Sequence, residues 1–434
     1  MSALTQTSPI LPAMRRRVVI ASIVGNALEW FDFIVYGIFA ASIARVFFPA
    51  DAGETRLLAA LALFGIGFVM RPLGGIFFGV YADRFGRRAA LSLVILLMGV
   101  GTALLAAAPG YAAIGIGGPL LVLAARMIQG FSVGGEFGTA TSMLIEYAPR
   151  DRRGLYGSFQ MISQALSFVL GGLAAFLITT TLSADAVDSW GWRLPFIFGA
   201  LVGPIGVYLR RRIDESPEFA DLQTARKQRS KPLRTVFTSH KREMIAAFSI
   251  IVAGTSTLYV LSIYLPLFAA ESLGIPARQA QIGLVCANLL IAILVPIAGL
   301  LSDKVGRRAV ILPALVIFSG LLLFMMRRLI DDPTPAHLFQ TQMLAVFIAF
   351  IFGPAPALVA EIFPVAVRST GLSIAYNLAV ALFGGFAPFL NVWLVQTTGN
   401  SMAPVYYVLV CAVVGVAGLF MVHLPDPATA RNDQ

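Results

Sequence analysis

Long apolar runs, broken by short polar interruptions, succeed one another along almost the whole chain. Twelve are marked out, at 18–47, 57–81, 89–108, 119–147, 155–182, 193–211, 243–271, 279–301, 309–330, 338–362, 371–397 and 403–424. A membrane-spanning helix needs roughly 20 mostly apolar residues. Several runs exceed that length, which predicts tilt or projection into water. The only long polar connection, 212–242, holds Asp214, Glu215 and Glu218 beside a run of Lys and Arg. The pattern predicts an all-α integral membrane protein of about twelve transmembrane helices. An N-terminal six-helix bundle (1–211) is expected to join a C-terminal six-helix bundle with a short tail (243–434) through a cytoplasmic linker (212–242) with room for a short surface helix.

Composition narrows the function class. The chain is 58% hydrophobic and only 12% charged, with a mean hydropathy of +0.82. So few charges cannot cover the surface of a soluble protein of this size. The net charge of +10 could suggest a nucleic-acid partner, but its placement argues otherwise. With the N-terminus inside, most basic residues fall in cytoplasmic segments, ten of them between Arg210 and Arg242. Arg45, Arg56, Arg193, Arg278, Arg327 and Arg328 fall outside. That bias predicts both termini in the cytoplasm, and basic segments that meet anionic lipid headgroups rather than nucleic acid. Residues 1–14 lack the features of a cleavable leader, so the first span is expected to act as the insertion signal. Cys286 and Cys411 lie inside predicted helices, which disfavours a structural disulfide. No Cys/His cluster has metal-ligand spacing, and no Ser/His/Asp set or nucleotide-binding loop is present. No metal, cofactor or enzymatic activity is expected.

Two internal echoes point to duplication. Gly79-Val80-Tyr81-Ala82-Asp83-Arg84-Phe85-Gly86-Arg87-Arg88 recurs as Gly299-Leu300-Leu301-Ser302-Asp303-Lys304-Val305-Gly306-Arg307-Arg308. Glu146, Pro149 and Arg153 recur at a constant offset as Glu361, Pro364 and Arg368. Weak internal symmetry of this kind is the mark of transporters built from two bundles.

Several phrases are more specific. They are Gly25-Asn26-Ala27-Leu28-Glu29-Trp30-Phe31-Asp32-Phe33, Arg71-Pro72-Leu73-Gly74-Gly75, Arg126 through Glu136, Trp190 through Phe196, and Phe383-Gly384-Gly385. On these the chain resembles a major facilitator transporter of the metabolite:H+ symporter family. Residues 134–139 and 155–160 are similar to 2-oxoglutarate permeases, and the region of Phe383 is similar to citrate:proton symporters. The resemblance implies a bacterial inner-membrane symporter, working as a monomer, that imports a small organic acid with protons. A di- or tricarboxylate is the expected cargo. Proline and betaine transporters share the Gly25–Asp32 phrase, so an osmolyte is the alternative, and a proton antiporter a further one.

Charges inside the membrane are expensive and so are functional candidates. Helical periodicity puts Asn26, Glu29, Asp32 and Tyr36 on one stripe of the first helix, and Arg126, Gln129 and Glu136 on one stripe of the fourth. Arg126 and Glu136 are about 15 Å apart along the axis, so Arg126 needs a partner from another helix. Asp32 is the expected one, with proton coupling assigned to Asp32, Arg126, Glu29 and Glu136. A proton arriving at Asp32 would free Arg126 for an anion. A static ion pair is the competing reading. Arg71 lies about 18 Å above the Asp83 turn, near the midplane, where its planar fork suits a carboxylate; a pair with Glu29 or Glu136 is the competing reading. The second half offers neutral groups: Thr255, Tyr259 and Ser262, Asn288, Tyr376 and Asn377. Gln160, Ser163, Gln164 and Ser167 form a stripe on the fifth helix. Each of these neutral groups serves helix packing more often than ligand.

The resemblance also implies gating at the cytoplasmic turns. Asp83 would pair across the bundle interface and Arg87 would meet Glu146. The second set is Asp303, Arg307, Glu361 and Arg368, with Arg153 at the end of the first echo. Simple positive-inside anchoring accounts for Arg84 and Arg88, but not for a repeated aspartate. Pro354 and Pro356 are expected to break the tenth helix.

Overall fold

The computed structural model describes residues 12–49, 55–211 and 232–422. The linker expected at 212–242 therefore lies outside the described residues, except for its end, where Pro232–Ser239 forms a short helix. Among the described residues, eleven helices are long and apolar enough to cross a membrane. With Leu194–Arg211 they form a series of twelve. These are α1 (Pro12–Ile38), α2 (Thr55–Phe85), α3 (Arg87–Ala107), α4 (Gly117–Tyr147), α5 (Arg153–Thr181) and α6 (Leu194–Arg211). The second half repeats the plan: α7 (Lys241–Ala270), α8 (Ala277–Val305), α9 (Arg307–Asp331), α10 (Pro335–Ile362), α11 (Arg368–Thr398) and α12 (Ala403–Met421).

The pairing of helices repeats with an offset of one half. In the first half α1 packs on α5 and α6, α2 on α4, and α3 on α4 and α6. In the second, α7 packs on α11 and α12, α8 on α10, and α9 on α10 and α12. The halves meet along two equivalent seams, α5 against α8 and α2 against α11. The molecule is inside-out relative to a soluble protein. Large apolar side chains such as Leu73, Leu177, Leu201 and Val413 point outward, whereas Glu29, Asp32, Arg71, Arg126 and Glu136 are buried. Lipid rather than water suits that outer surface.

Local chemistry explains the departures from straight helices. The run expected at 18–47 is two helices, because the chain leaves helical geometry at Phe39 and resumes at Ala40–Phe47. α4 restarts at Glu136 after Gly134-Gly135, and α10 restarts at Ala355 after Gly353-Pro354. α7 and α11 each contain a wider π-helical turn, Val260–Tyr264 and Ala381–Gly385. Such turns frequently accompany functional sites. Small residues set the tightest seam: a Cβ on Gly130 would fall on the carbonyl of Gly67, and one on Gly134 on the carbonyl of Arg71. Only glycine lets α2 and α4 approach this closely.

Candidate functional site

Phe33 sits between two arginines. The guanidinium of Arg71 lies 4.5 Å from its ring centroid, and so does that of Arg126. Arg71 also lies over Phe68 at 4.1 Å and Trp30 at 5.0 Å. Arg126 lies over Tyr36 at 4.0 Å and Phe64 at 5.6 Å. Both side chains are fully buried. None of the three Arg71 nitrogens has a hydrogen-bond partner, nor do Nε and Nη2 of Arg126. Ring faces soften the burial of a cation by about 0.5–2 kcal/mol each. They leave the whole fork of Arg71 and the Nε–Nη2 edge of Arg126 unused. Tyr259 and Tyr376 from the other half lie within electrostatic reach of Arg71, as does Glu29, one of the two partners that the competing reading gave it, though no ion pair with Arg71 is formed.

The expected contact pair between Asp32 and Arg126 is not formed. Gln129 stands between them. Arg126 Nη1 donates to Gln129 Oε1 at 2.8 Å, and Gln129 Nε2 donates to Thr102 Oγ1 at 3.0 Å and to Asp32 Oδ2 at 3.4 Å. The Thr102 hydroxyl donates to the same Asp32 oxygen. The physical reason is the aromatic layer: Arg126 spreads its flat face over Tyr36 and Phe33 rather than reaching the carboxylate. α3 approaches α4 closely at Gly101, where a Cβ would meet Gln129 Cγ at 2.7 Å, and this seats the amide beside Thr102.

The remaining candidates divide. Three of the first-half groups have polar atoms engaged inside that half. Asn26 Nδ2 donates to Ser163 Oγ at 2.5 Å and Gln160 O at 3.3 Å, Tyr36 Oη donates to Ala60 O at 3.1 Å, and Gln129 is held at both ends. Others reach across the seam between halves. Gln164 Nε2 donates to Tyr376 Oη at 3.1 Å, and Asn377 Nδ2 to Gly134 O at 2.6 Å. The Tyr376 ring stacks on Phe137 with centroids 3.4 Å apart. Tyr259 Oη, Asn288 Oδ1, Asn377 Oδ1 and both side-chain polar atoms of Gln160 are buried with no hydrogen-bond partner. Thr255 and Ser262 are buried on α7, and Glu136 is buried at the restart of α4. Between α5, α7, α8 and α10, Gln164, Asn288, Leu258 and Phe352 line a cavity of about 10 Å³, room for about one water.

At the end bearing the two turns, the halves are locked together. Asp83 Oδ2 accepts from the backbone N of Thr370 at 3.0 Å and from its Oγ1 at 2.6 Å. Asp303 accepts from the backbone N of Gly154 at 2.7 Å and of Leu155 at 3.0 Å. Each aspartate therefore caps the first turn of a helix in the opposite half, α11 and α5 respectively, where unsatisfied N–H groups and the helix dipole favour an anion. Arg87 Nη2 lies 3.3 Å from Asp83 Oδ1 and 3.2 Å from Glu146 Oε1, and donates to Val365 O across the seam at 3.3 Å. Arg307 repeats this with Asp303 at 2.6 Å and Glu361 at 3.2 Å. Arg368 lies 3.6 Å from Glu146, another contact between halves. Arg153 begins α5 beside Gly154. Gly86 and Gly306 have φ of 103° and 95°, a backbone region open at little cost only to glycine, so the repeated glycine is required by each turn.

Thr102, the rings of Trp30, Phe64 and Phe68, and Thr370 were not singled out from the sequence. The Trp30-Phe31-Asp32-Phe33 phrase carried the one available signal, aromatic residues at helical spacing beside a buried acid.

Comparison with known proteins agrees with this architecture. The family described as "Sugar (and other) transporter" matches residues 18–235, and "Major Facilitator Superfamily" matches residues 246–434. The chain is 36% identical to the citrate-proton symporter of Salmonella typhi, over 92% of both chains. It is 35% identical to the glycine betaine/proline/ectoine/pipecolic acid transporter OusA of Dickeya dadantii, over 94% of this chain and 83% of that one. It is 36% identical to the inner membrane metabolite transport protein YhjE of Escherichia coli, over 94% and 93%. Among solved structures, the proton:xylose symporter XylE bound to 6-bromo-6-deoxy-D-glucose superposes with a TM-score of 0.78 at 20% identity, covering 94% of this chain and 95% of that one. Two echoing halves, buried charges and these relatives together establish that the chain belongs to the major facilitator superfamily and, within it, to the metabolite:H+ symporter family of transporters.

Proposed function

We propose that the protein imports a small organic anion, a di- or tricarboxylate, together with protons by alternating access. The observation that supports this reading is the pair of buried guanidinium groups on Phe33 with N–H edges unused. Two cations on one ring repel each other, and a cargo with two carboxylates would answer both forks bidentately. Tyr259 and Tyr376 approach Arg71 from the other half, and with Gln164, Asn288 and Asn377 they would complete the site with neutral hydrogen bonds. Asp32 takes the coupled proton. Cargo and proton enter while the turn end is locked, and release follows when the Asp83 and Asp303 caps open toward the cytoplasm, where both termini lie. One chain suffices for this cycle, in a bacterial inner membrane.

Reconstituted uptake of labelled citrate, 2-oxoglutarate, shikimate, proline and betaine, with and without an imposed pH gradient, tests the reading. Gradient-driven accumulation of a carboxylate, with alkalinisation outside, supports it. Accumulation without proton movement, or acidification outside, refutes symport.

A second reading is an osmolyte:proton symporter. The rings of Trp30, Phe33 and Phe68 support it, since aromatic faces also receive quaternary ammonium groups, as do relatives named for betaine and proline. Those faces are already covered by Arg71, which is why the organic anion is preferred. A zwitterion carries one carboxylate, so it would depend on one arginine and a dianion on both.

A further inference from the structure

The donors around Asp32 run in one direction. Arg126 Nη1 can only donate, so the Gln129 oxygen faces it and the Gln129 NH2 faces Thr102 and Asp32. The reversed amide would set donor against donor at Arg126. Thr102, accepting from Gln129, turns its own hydrogen to Asp32 Oδ2. Every donor thus converges on Oδ2, and the other carboxylate oxygen, Oδ1, is buried with no hydrogen-bond partner. Oδ1 faces Gly199 of α6, where a Cβ would stand 2.8 Å away.

We propose that Gln129 is the positioning residue of proton coupling: the proton lands on Asp32 Oδ1, and Gln129 transmits the resulting loss of charge to Arg126. This rests on the reading of the protein as a proton symporter. In protonation a hydronium ion of the outer solution gives up one O–H bond as one forms at Oδ1, leaving water; the reverse step returns the proton to water on the other side. With Asp32 ionised, Oδ2 holds Thr102 and Gln129 by charge-assisted bonds, which are roughly twice as strong as neutral ones. The amide is then fixed, and Arg126 Nη1 stays on it. With Asp32 neutral the chain slackens, and Arg126 Nη1 joins Nε and Nη2 in facing cargo. The charged and titratable neighbours are few. Arg126 of α4 acts on Asp32, and Arg71 of α2 acts on Arg126. Glu29 and Tyr36 share the helix of Asp32, and Glu136 lies further along α4. Against Asp32 itself α3 brings Thr102 and α6 brings Gly199, and α5 faces the same helix with Ser163 on Asn26, none of them charged.

The test uses the full chain in proteoliposomes, reading gradient-driven accumulation and substrate counterflow as functions of pH. The wild type must first show proton uptake with cargo; if it does not, the symport reading fails before the role of Gln129 arises. Gln129→Met keeps the volume and removes both amide bonds. Accumulation is expected to fall by about tenfold more than counterflow, and the counterflow KM to lose its pH dependence. Thr102→Val should copy this split and Thr102→Ser should restore coupling, which keeps the idea testable if Gln129→Met does not fold. Equal loss of both activities with the pH dependence of KM intact would mean a merely structural role and overturn the proposal. So would coupled uptake by Gln129→Met at the wild-type level.

Discussion

Replacing Asp83 by asparagine should release the lock at the turn end. Asp83 accepts two bonds from Thr370 across the seam, at 3.0 and 2.6 Å, in a site where both side chains are buried. A hydrogen bond to a charged group contributes about 1.5–3 kcal/mol, and one between neutral groups about 0.5–1.5. Asparagine keeps one acceptor oxygen and loses the charge, so each bond weakens by about 1.25 kcal/mol and the two together by about 2.5 kcal/mol. Part of the loss is offset because Asp83 and Glu146 share Arg87, and removing one acid relieves their repulsion. A net change of about 2 kcal/mol shifts the closed-to-open ratio roughly 30-fold. Ser142, whose hydroxyl accepts from Ser369 at 3.1 Å behind the lock, gives a reporter position. In a background carrying Cys286→Ser and Cys411→Ala, the labelling rate of Ser142→Cys by a thiol reagent supplied at the turn end measures the open population. Asp83→Asn should raise that rate about 30-fold, and Asp303→Asn should raise it by a similar factor. A rate within about twofold of the parent in both variants would refute the assignment of these aspartates as the lock.

Further outcomes follow from other contacts. Arg71→Lys and Arg126→Lys keep the charge but lose the planar fork, so each should raise KM for a dicarboxylate about tenfold or more, measured by reconstituted uptake. A KM rise for only one of the two would favour a zwitterionic cargo. Gly86→Ala or Gly306→Ala forces a side chain into an extended positive-φ region and should cost about 1–3 kcal/mol, read as a lower melting temperature in detergent. Gly99→Ala, which meets nothing within 4 Å in the middle of α3, should be neutral or stabilising. Outside the membrane spans, Asp188 resists protonation. Its partial burial pushes the carboxyl up, but hydrogen bonds from Arg45 and Ser42 and the charge of Arg45 outweigh that and hold it below the usual range. A depressed carboxyl contributes stability above pH about 4 that is lost as pH falls further. Because Arg45 is half exposed, Arg45→Gln should cost no more than about 1 kcal/mol at neutral pH, and the difference in melting temperature should vanish in acid.

The fold was largely legible in the sequence because hydropathy and duplication act over long stretches. Twenty apolar residues can satisfy their backbone in lipid only as a helix, so the spans and the two bundles follow from pattern alone. The turns were legible for a similar reason: an acid and glycine repeated at corresponding places leave few alternatives. What escaped was contact made between helices distant in the chain. Periodicity puts Asp32 and Arg126 on inward faces, yet says nothing of how far apart α1 and α4 stand or what fills the gap. Gln129 and the rings of Phe33 and Tyr36 fill it. Thr102 gave no signal, since one threonine in an apolar helix reads as packing. The local breaks at Phe39 and Gly135 were equally hidden, because each answers to a neighbour, as where a Cβ on Gly135 would strike the Phe78 ring.

Between the helix ends, every Asp, Glu, Lys and Arg in the interior of the described molecule sits on α1, α2 or α4; the second half brings none. A transmembrane voltage exerts force only on charge, about 2.3 kcal/mol per elementary charge per 100 mV if it crosses the whole field. In a cycle that rocks the bundles, the electric field would therefore pull chiefly on the first half; the second, charged only at its helix ends, would bring no charge of its own to the middle of the field.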